Sequence, residues 1–482
     1  MKLLLLLSNG LLVGSALAQS TASTNYTLPT QPAWKEVGQL KTRDAREIKA
    51  STWSIGCEVL DRDFCDYHAY KSYLGPLGAK RARFQGGWAK CEKVKGQYDF
   101  VWLDAILPDA VSRGVQPWVE FSYGNPIYGE EGGQPKLGGK FPYGSALPAW
   151  EAWVRGMVNR YKGSVKEWEI WNEPDIDTER NGNKGDAFAD FYIRTAEIVR
   201  QIDPQARLLA LGLAQISRTD FIVPFMERLK EKGKLKLIDV LTYHGYAHNP
   251  DDSYPQIEKF RALVHSYNPK IILMQGENGA PSEQTTGQFA LNDKPWSELT
   301  QTKWNLRRML GDHGRSIETN LFTMSDMAYK SGDFRQGINR KGMVKIRSMD
   351  DMSIERPKLV YFVVQRVFSL FDDQLETLVN TKPTVDQETV NAFAYRHKAN
   401  GGSLVTLWSK EARPAEAYTP KPTTLTIEGR FRQPVFVDLI TGKAYEIPQK
   451  QWAKKGQTHT FTGLPVPDYP VLVADKGALI LQ

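Results

Sequence analysis

Short apolar runs alternate with amphipathic stretches from about residue 53 to residue 370 of this chain. The runs at 53–57, 81–85, 116–121, 165–171, 207–211, 237–243, 270–275 and 318–323 read as buried strands. Helix-period segments fall between or after them, at 64–74, 100–112, 149–161, 187–202, 220–230, 254–266, 297–311 and 356–370. Eight strands, each followed by a helix, predict an α/β fold: a closed (β/α)8 TIM barrel over residues 51–373.

Past Phe371-Asp372-Asp373 the pattern changes. Runs at 389–396, 403–409, 423–427, 434–438 and 471–474 alternate with Gly, Pro and charged turns, and no helix of ordinary length fits among them. Residues 374–482 are therefore expected to form an all-β sandwich. The segment 19–50 is expected to add a strand to it, because the two ends of a domain often lie close.

Residues 1–18 read as a signal peptide. Lys2 supplies the positive end, Leu3 to Leu7 and Leu11 to Val13 the apolar stretch, and Ala16-Leu17-Ala18 a small-residue cleavage site. The run is too short and interrupted to span a bilayer, and no later segment is long enough. The sequence therefore predicts a secreted or periplasmic protein with no membrane insertion. Asn25-Tyr26-Thr27 is one glycosylation acceptor in a eukaryotic setting.

Composition adds little: of 482 residues, 41% are hydrophobic and 24% charged, ordinary for a globular protein. The net charge of +7 fits either a solvated basic surface or attraction to an acidic polysaccharide. Lys and Arg are scattered, with no basic block or reading motif, which argues against nucleic acid. Cys57, Cys65 and Cys91 are too few and too widely spaced for a metal site. If a disulfide forms, Cys57 and Cys91, near the carboxyl ends of the first two strands, are the expected pair; three buried thiols are the alternative. No cofactor or metal is implied.

Two strand ends carry the chemistry. Trp171-Asn172-Glu173-Pro174 closes the fourth run and Gln275-Gly276-Glu277-Asn278 the seventh. A carboxyl group at the carboxyl end of a barrel strand is where such folds place catalytic residues. One carboxyl protonating a leaving oxygen while a second attacks or stabilises the sugar carbon is the chemistry of glycoside hydrolysis. Glu173 is the expected acid/base and Glu277 the expected nucleophile, with Asn172 holding a sugar hydroxyl. His244 and Tyr246 end the sixth strand, next to the seventh, and either can donate to Glu277. Arg83, ending the second strand, can brace Glu173 or Glu277. Glu318 would lie at the opposite end of the barrel. Sugar rings stack on aromatics, and Trp88, Tyr123, Tyr128, Trp171, Tyr243, Tyr246 and Phe322 fall on the predicted loop face.

These residues resemble glycoside hydrolase clan A, most closely family 39, the β-xylosidase and α-L-iduronidase group. Trp168-Glu169-Ile170-Trp171-Asn172-Glu173-Pro174-Asp175 is similar to the family's acid/base segment, and His244-x-Tyr246 to its sixth-strand pair. Phe322-Thr323-Met324-Ser325-Asp326, Gly342 and Pro357-Lys358-x-x-Tyr361 resemble its eighth-strand region and following helix. The resemblance implies a retaining glycosidase that acts on an oligosaccharide or polysaccharide. The chain departs from the pattern in three places. Gly276-Glu277-Asn278 stands for Thr-Glu-Phe, Phe322 for a tryptophan, and Tyr329-Lys330 for a glutamate pair common among xylosidases. Replacing two hydroxyl-binding carboxylates with a phenol and a cation leaves room for an acidic substrate. A carbohydrate-binding protein on an inactive barrel, or a transglycosidase, are the alternative functions.

Overall fold

The computed structural model describes residues 26–285, 287–330 and 336–482. The predicted signal peptide and the Asn25 acceptor lie outside them.

Eight parallel strands close on themselves: β1 (Trp53–Gly56), β2 (Arg81–Gln85), β3 (Gln116–Phe121), β4 (Glu167–Ile170), β5 (Arg207–Leu213), β6 (Val240–His244), β7 (Ile272–Asn278) and β8 (Glu318–Leu321). Closure is direct, since Trp53, Ser54 and Ile55 of β1 pair with Thr319, Asn320 and Leu321 of β8. The outer ring contains helices Tyr67–Leu77, Leu147–Tyr161, Gly185–Ile202, Thr219–Glu231, Tyr254–Tyr267, Glu298–His313 and Leu359–Leu370. The single helix expected at 100–112 is two pieces, Val101–Asp104 and Leu107–Ser112. Pro108 falls in the first turn of the second piece, the one helical position where its missing N–H costs nothing.

Charge and apolar bulk alternate along the barrel axis. At the amino end, Arg81 and Arg207 are paired with Glu167 and Glu318, so Glu318 is sealed into an ion network far from the loop face. Above it Trp118, Leu209, Val240 and Met274 form a buried apolar cluster. Arg83 lies over the Trp118 ring at 5.3 Å and begins the polar layer beneath the mouth. Interior layers of this kind make the barrel a solid platform rather than a pore.

The carboxyl-terminal region forms two antiparallel sheets. One has seven strands and includes Val390–His397, Ser403–Ser409, Pro434–Asp438 and Val471–Asp475; the other has four, including Lys421–Glu428 and Thr458–Val466. The early strand Glu36–Gln39 pairs antiparallel with Lys443–Glu446 at the edge of the larger sheet. Helix Glu298–His313 is buried over almost its whole surface, because the sheets cover the face a barrel helix normally gives to water. Asp251 anchors this contact, accepting from Arg307 Nε at 2.6 Å and from Asn391 Nδ2 at 2.7 Å. Among the described residues, no helix is long and apolar enough to cross a membrane.

The expected Cys57–Cys91 bridge is not formed. All three cysteines are buried free thiols. Cys91 Sγ donates to the Gly86 carbonyl at 3.3 Å, while Cys57 lies against Tyr70. Shared position at strand ends does not point two Cβ atoms at each other, which a disulfide requires.

Candidate active site

At the carboxyl end of β4 the backbone turns sharply, with Trp171 at φ 70° and Glu173 at φ 48°. The left-handed region is strained for residues with a Cβ. Neighbouring strands hold it: Trp171 N–H donates to the Phe121 carbonyl at 3.1 Å, and Glu173 N–H to Gly212 at 2.9 Å. Pro174, lacking an N–H, ends the ladder. Asn172 and Glu173 are thereby turned over the barrel mouth, where both line the cavity. Glu277 reaches the same place by another route. The register of β7 slips against β6 between Tyr243 and His244, and against β8 between Gln275 and Asn278. Such irregularities re-aim side chains at a strand end.

The two carboxylates converge. One oxygen of Glu173, one of Glu277 and a ring nitrogen of His244 all lie within 4.8 Å of one another. His244 Nδ1 is 2.6 Å from Glu173 Oε1 and 3.8 Å from Glu277 Oε2. The histidine thus serves the expected acid, not the expected nucleophile. Of the sixth-strand pair, Tyr246 donates to Glu277, its hydroxyl 2.8 Å from Oε1. Among the described residues this trio is the one cluster spaced to admit a metal ion, but its closest contacts are those of an acid–base pair.

Arg83 organises the floor. Its Nε donates to Glu169 at 2.9 Å, Nη2 to Asn172 Oδ1 at 2.9 Å and to Glu120, and Nη1 reaches Glu277 Oε2 at 3.3 Å. Asn172 in turn donates Nδ2 to the Tyr123 hydroxyl at 2.8 Å. Arg83 Nη1 thus sets a charged donor beside the Glu277 carboxylate. Burial works against a charged His244, yet the Glu277 charge and the Glu173 hydrogen bond overcome it and raise the imidazole to about 9. Burial lifts Glu120 to about 7 despite Arg83.

The carboxylates open on a cavity of about 510 Å³ lined by Glu58, Arg62, Gln85, Tyr123, Tyr246, Phe322, Tyr329 and Lys341, among others. Of the expected aromatics, Tyr123, Tyr246 and Phe322 face it, as does Tyr329; Tyr128 does not. Trp88 and Trp171 do not: both are fully buried, Trp88 stacked on Tyr128 and edge-on to Trp150, Trp171 against Trp150 and Phe191. Tyr243 is buried beside Phe260. Lys330 is exposed and away from the lining. Among the described residues, the cations that line the cavity are Arg62 and Lys341. Arg62 donates to Gln85 Oε1 at 2.8 Å and lies 4.9 Å from the Tyr123 ring. Lys341 donates to the Ala290 carbonyl at 2.6 Å and lies 5.3 Å from the Tyr246 ring.

Lys341 is delivered by a built loop. Asp326 accepts from Gly342 N–H at 3.0 Å, Arg340 Nη1 at 3.0 Å and Lys358 Nζ at 2.6 Å. A Cβ at Gly342 would sit 2.1 Å from Asp326 N, so only glycine lets the loop close. Neither Lys341 nor Glu58 was expected from sequence. Glu58 follows β1 directly, and the strand-end rule that found Glu173 and Glu277 applies to it equally.

A closed parallel barrel with two carboxyl groups converging at its mouth is the arrangement that glycoside hydrolysis uses. The profile for "Glycosyl hydrolases family 39" matches residues 88–462. The chain belongs to that family and is a glycosidase. Solved structures agree on the fold. A family 39 glycoside hydrolase from Bacteroides cellulosilyticus WH2 superposes with a TM-score of 0.59 at 16% identity, covering 90% of this chain and 82% of that one. A monomeric β-xylosidase from Caulobacter crescentus CB15 gives 0.57 at 14%, covering 91% and 97%. A family 30 endoxylanase from Clostridium papyrosolvens C71 gives 0.55 at 13%, covering 92% and 98%. No curated protein matches the sequence.

Proposed function

We propose that this glycosidase cleaves with retention of configuration, Glu173 acting as acid and then base and Glu277 as nucleophile. The observation that carries this reading is the approach of the two carboxylates, whose facing oxygens lie within 4.8 Å. Retaining enzymes hold their carboxyls about 5–5.5 Å apart, whereas inverting ones leave about 6.5–9.5 Å for a water.

In the first step Glu173 gives its proton to the glycosidic oxygen as the C–O bond breaks. Glu277 then bonds to the anomeric carbon, forming a glycosyl ester. In the second step water attacks that carbon, its proton passes to Glu173, and the ester bond to Glu277 breaks. The first step needs a proton at neutral pH. The His244 imidazole, raised to about 9, stands 2.6 Å from Glu173 Oε1 and can relay one to it. Arg83 and Tyr246 hold and aim Glu277.

The substrate in this reading is an oligosaccharide or polysaccharide. An acidic group on it would meet Arg62 or Lys341, the cations of the lining; the net charge of +7 favours its approach. Export is supported by the Lys2 and Leu-rich amino-terminal pattern. The test is proton NMR of the first-formed product from an aryl glycoside. Retention gives the substrate's own anomer before mutarotation; the opposite anomer would overturn the double displacement.

A further inference from the structure

Glu58 has no part in those two steps, yet it lines the same cavity as Glu173 and Glu277. It is 2% exposed, and its carboxyl folds back over its own strand. A Cβ on Gly56 would lie 2.1 Å from Glu58 Oε2, so β1 has to end in glycine for the carboxyl to be there.

Apart from a bond to its own backbone N–H, the contacts that hold it are long. Arg83 Nη1 is 3.4 Å from Oε1, Asn320 Nδ2 is 3.5 Å from Oε1, and Thr323 Oγ1 is 3.4 Å from Oε2. Ordinary hydrogen bonds of these kinds span about 2.7–3.2 Å. The shorter bonds of Arg83 go elsewhere, to Glu169 at 2.7 Å, to Asn172 and to Glu120. Its Nη1 is shared between Glu58 and Glu277, which places Glu58 beside the nucleophile. A structural ion pair would have the short geometry of Arg83 with Glu169. A buried carboxyl so loosely satisfied calls for a further partner.

Burial, helped by the Glu277 charge and opposed by Arg83, pushes Glu58 up to about 8. That favours the carboxylic acid form, which has one O–H to donate and lone pairs to accept. Those are the requirements of a sugar hydroxyl, or of a neighbouring pair of them. An anionic substituent at that place would face two acidic side chains.

We propose that Glu58 is a specificity-determining residue, binding a free hydroxyl on the sugar unit whose anomeric carbon Glu277 attacks. The proposal rests on the assignment of Glu277 as nucleophile. It places hydroxyls against the Glu58–Thr323 wall and leaves any anionic group to Arg62 and Lys341.

The experiment is a cycle between protein and substrate. Wild type, Glu58→Ala and Glu58→Gln are compared on the aryl glycoside the enzyme turns over best and on its monodeoxy analogues. Glu58→Ala is expected to lower kcat/KM on the parent about 10- to 100-fold, the size of a hydrogen bond to a buried polar partner. On the one analogue lacking the contacted hydroxyl, wild type and variant should be nearly equal, so the two losses do not add. Equal losses on every analogue would overturn the proposal and leave Glu58 a merely structural group. If Glu58→Ala fails to fold, Glu58→Gln, which keeps the shape, carries the same comparison. If wild type hydrolyses no glycoside, the glycosidase assignment fails instead. Calorimetric binding of the free sugar and its deoxy forms then reads Glu58 by the same non-additivity, and equal losses there would again overturn it.

Discussion

The Tyr246 hydroxyl donates to Glu277 Oε1 across 2.8 Å, from a loop that follows β6 to a carboxylate on β7. In the proposed mechanism the bond sets the orientation of the attacking oxygen. Tyr246→Phe removes it and leaves the ring in place. The expected result is a 10- to 100-fold fall in kcat, roughly what one well-placed hydrogen bond supplies, with a melting temperature close to wild type. Unchanged turnover would mean that this bond has no part in fixing Glu277.

Arg83 is fully buried and joins Glu120, Glu169, Glu277 and Asn172. Removing one partner of a buried ion network leaves uncompensated charge and costs about 3–5 kcal/mol. Arg83→Met should therefore destabilise the fold by that order in denaturant unfolding and abolish activity. Arg83→Lys, keeping the charge but losing the fork, should fold better and remain nearly inactive.

His244 gives the stability of the protein a pH dependence. Its folded value is raised to about 9, against about 6.5 for the unfolded chain. Between those values the folded state holds a proton that the unfolded state has released, so stability falls as pH rises. The contribution is complete below about pH 6.5 and gone above about pH 9. Wild type should exceed His244→Phe in unfolding free energy at pH 6 by more than at pH 9.5. An equal gap at both values would show that the imidazole is not protonated by its neighbours.

The barrel was legible because parallel strands buried on both faces tend to appear as apolar runs, as at 207–211 and 270–275. β2 and β3 begin and end at the expected bounds, although each carries buried polar side chains. Glu173 was legible because a strand, a carboxyl and a proline stand in immediate succession. Other positions depend on geometry that a linear pattern does not carry. Trp171 ends a strand like a sugar-stacking residue, but its positive φ turns the ring inward against Trp150. Lys330 and Lys341 look alike in sequence. The contacts of Asp326 with Arg340 and Gly342 put the second one at the cavity and not the first. Hairpin pairing of Met327–Tyr329 with Gly337–Asn339 had no sequence signal as clear as the barrel runs.

That difference between the two lysines is itself testable. Lys330→Ala should leave kcat/KM within about twofold on every substrate, as expected for an exposed side chain away from the chemistry. Lys341→Met should lower the ratio of acidic to neutral glycoside cleavage by about tenfold, the scale of one charge-assisted contact. Equal effects on both substrate types would remove Lys341 from substrate recognition.

The assignment of distinct roles to Glu173 and Glu277 is tested most directly by azide rescue of their alanine variants on an aryl glycoside. Without Glu277, azide should attack the anomeric carbon directly and give a glycosyl azide of inverted configuration. Without Glu173, the ester on Glu277 still forms from a good leaving group, and azide should give the retained product. Opposite configurations from the two variants are the predicted result. The same configuration from both, or wild-type turnover by either variant without azide, would contradict the account.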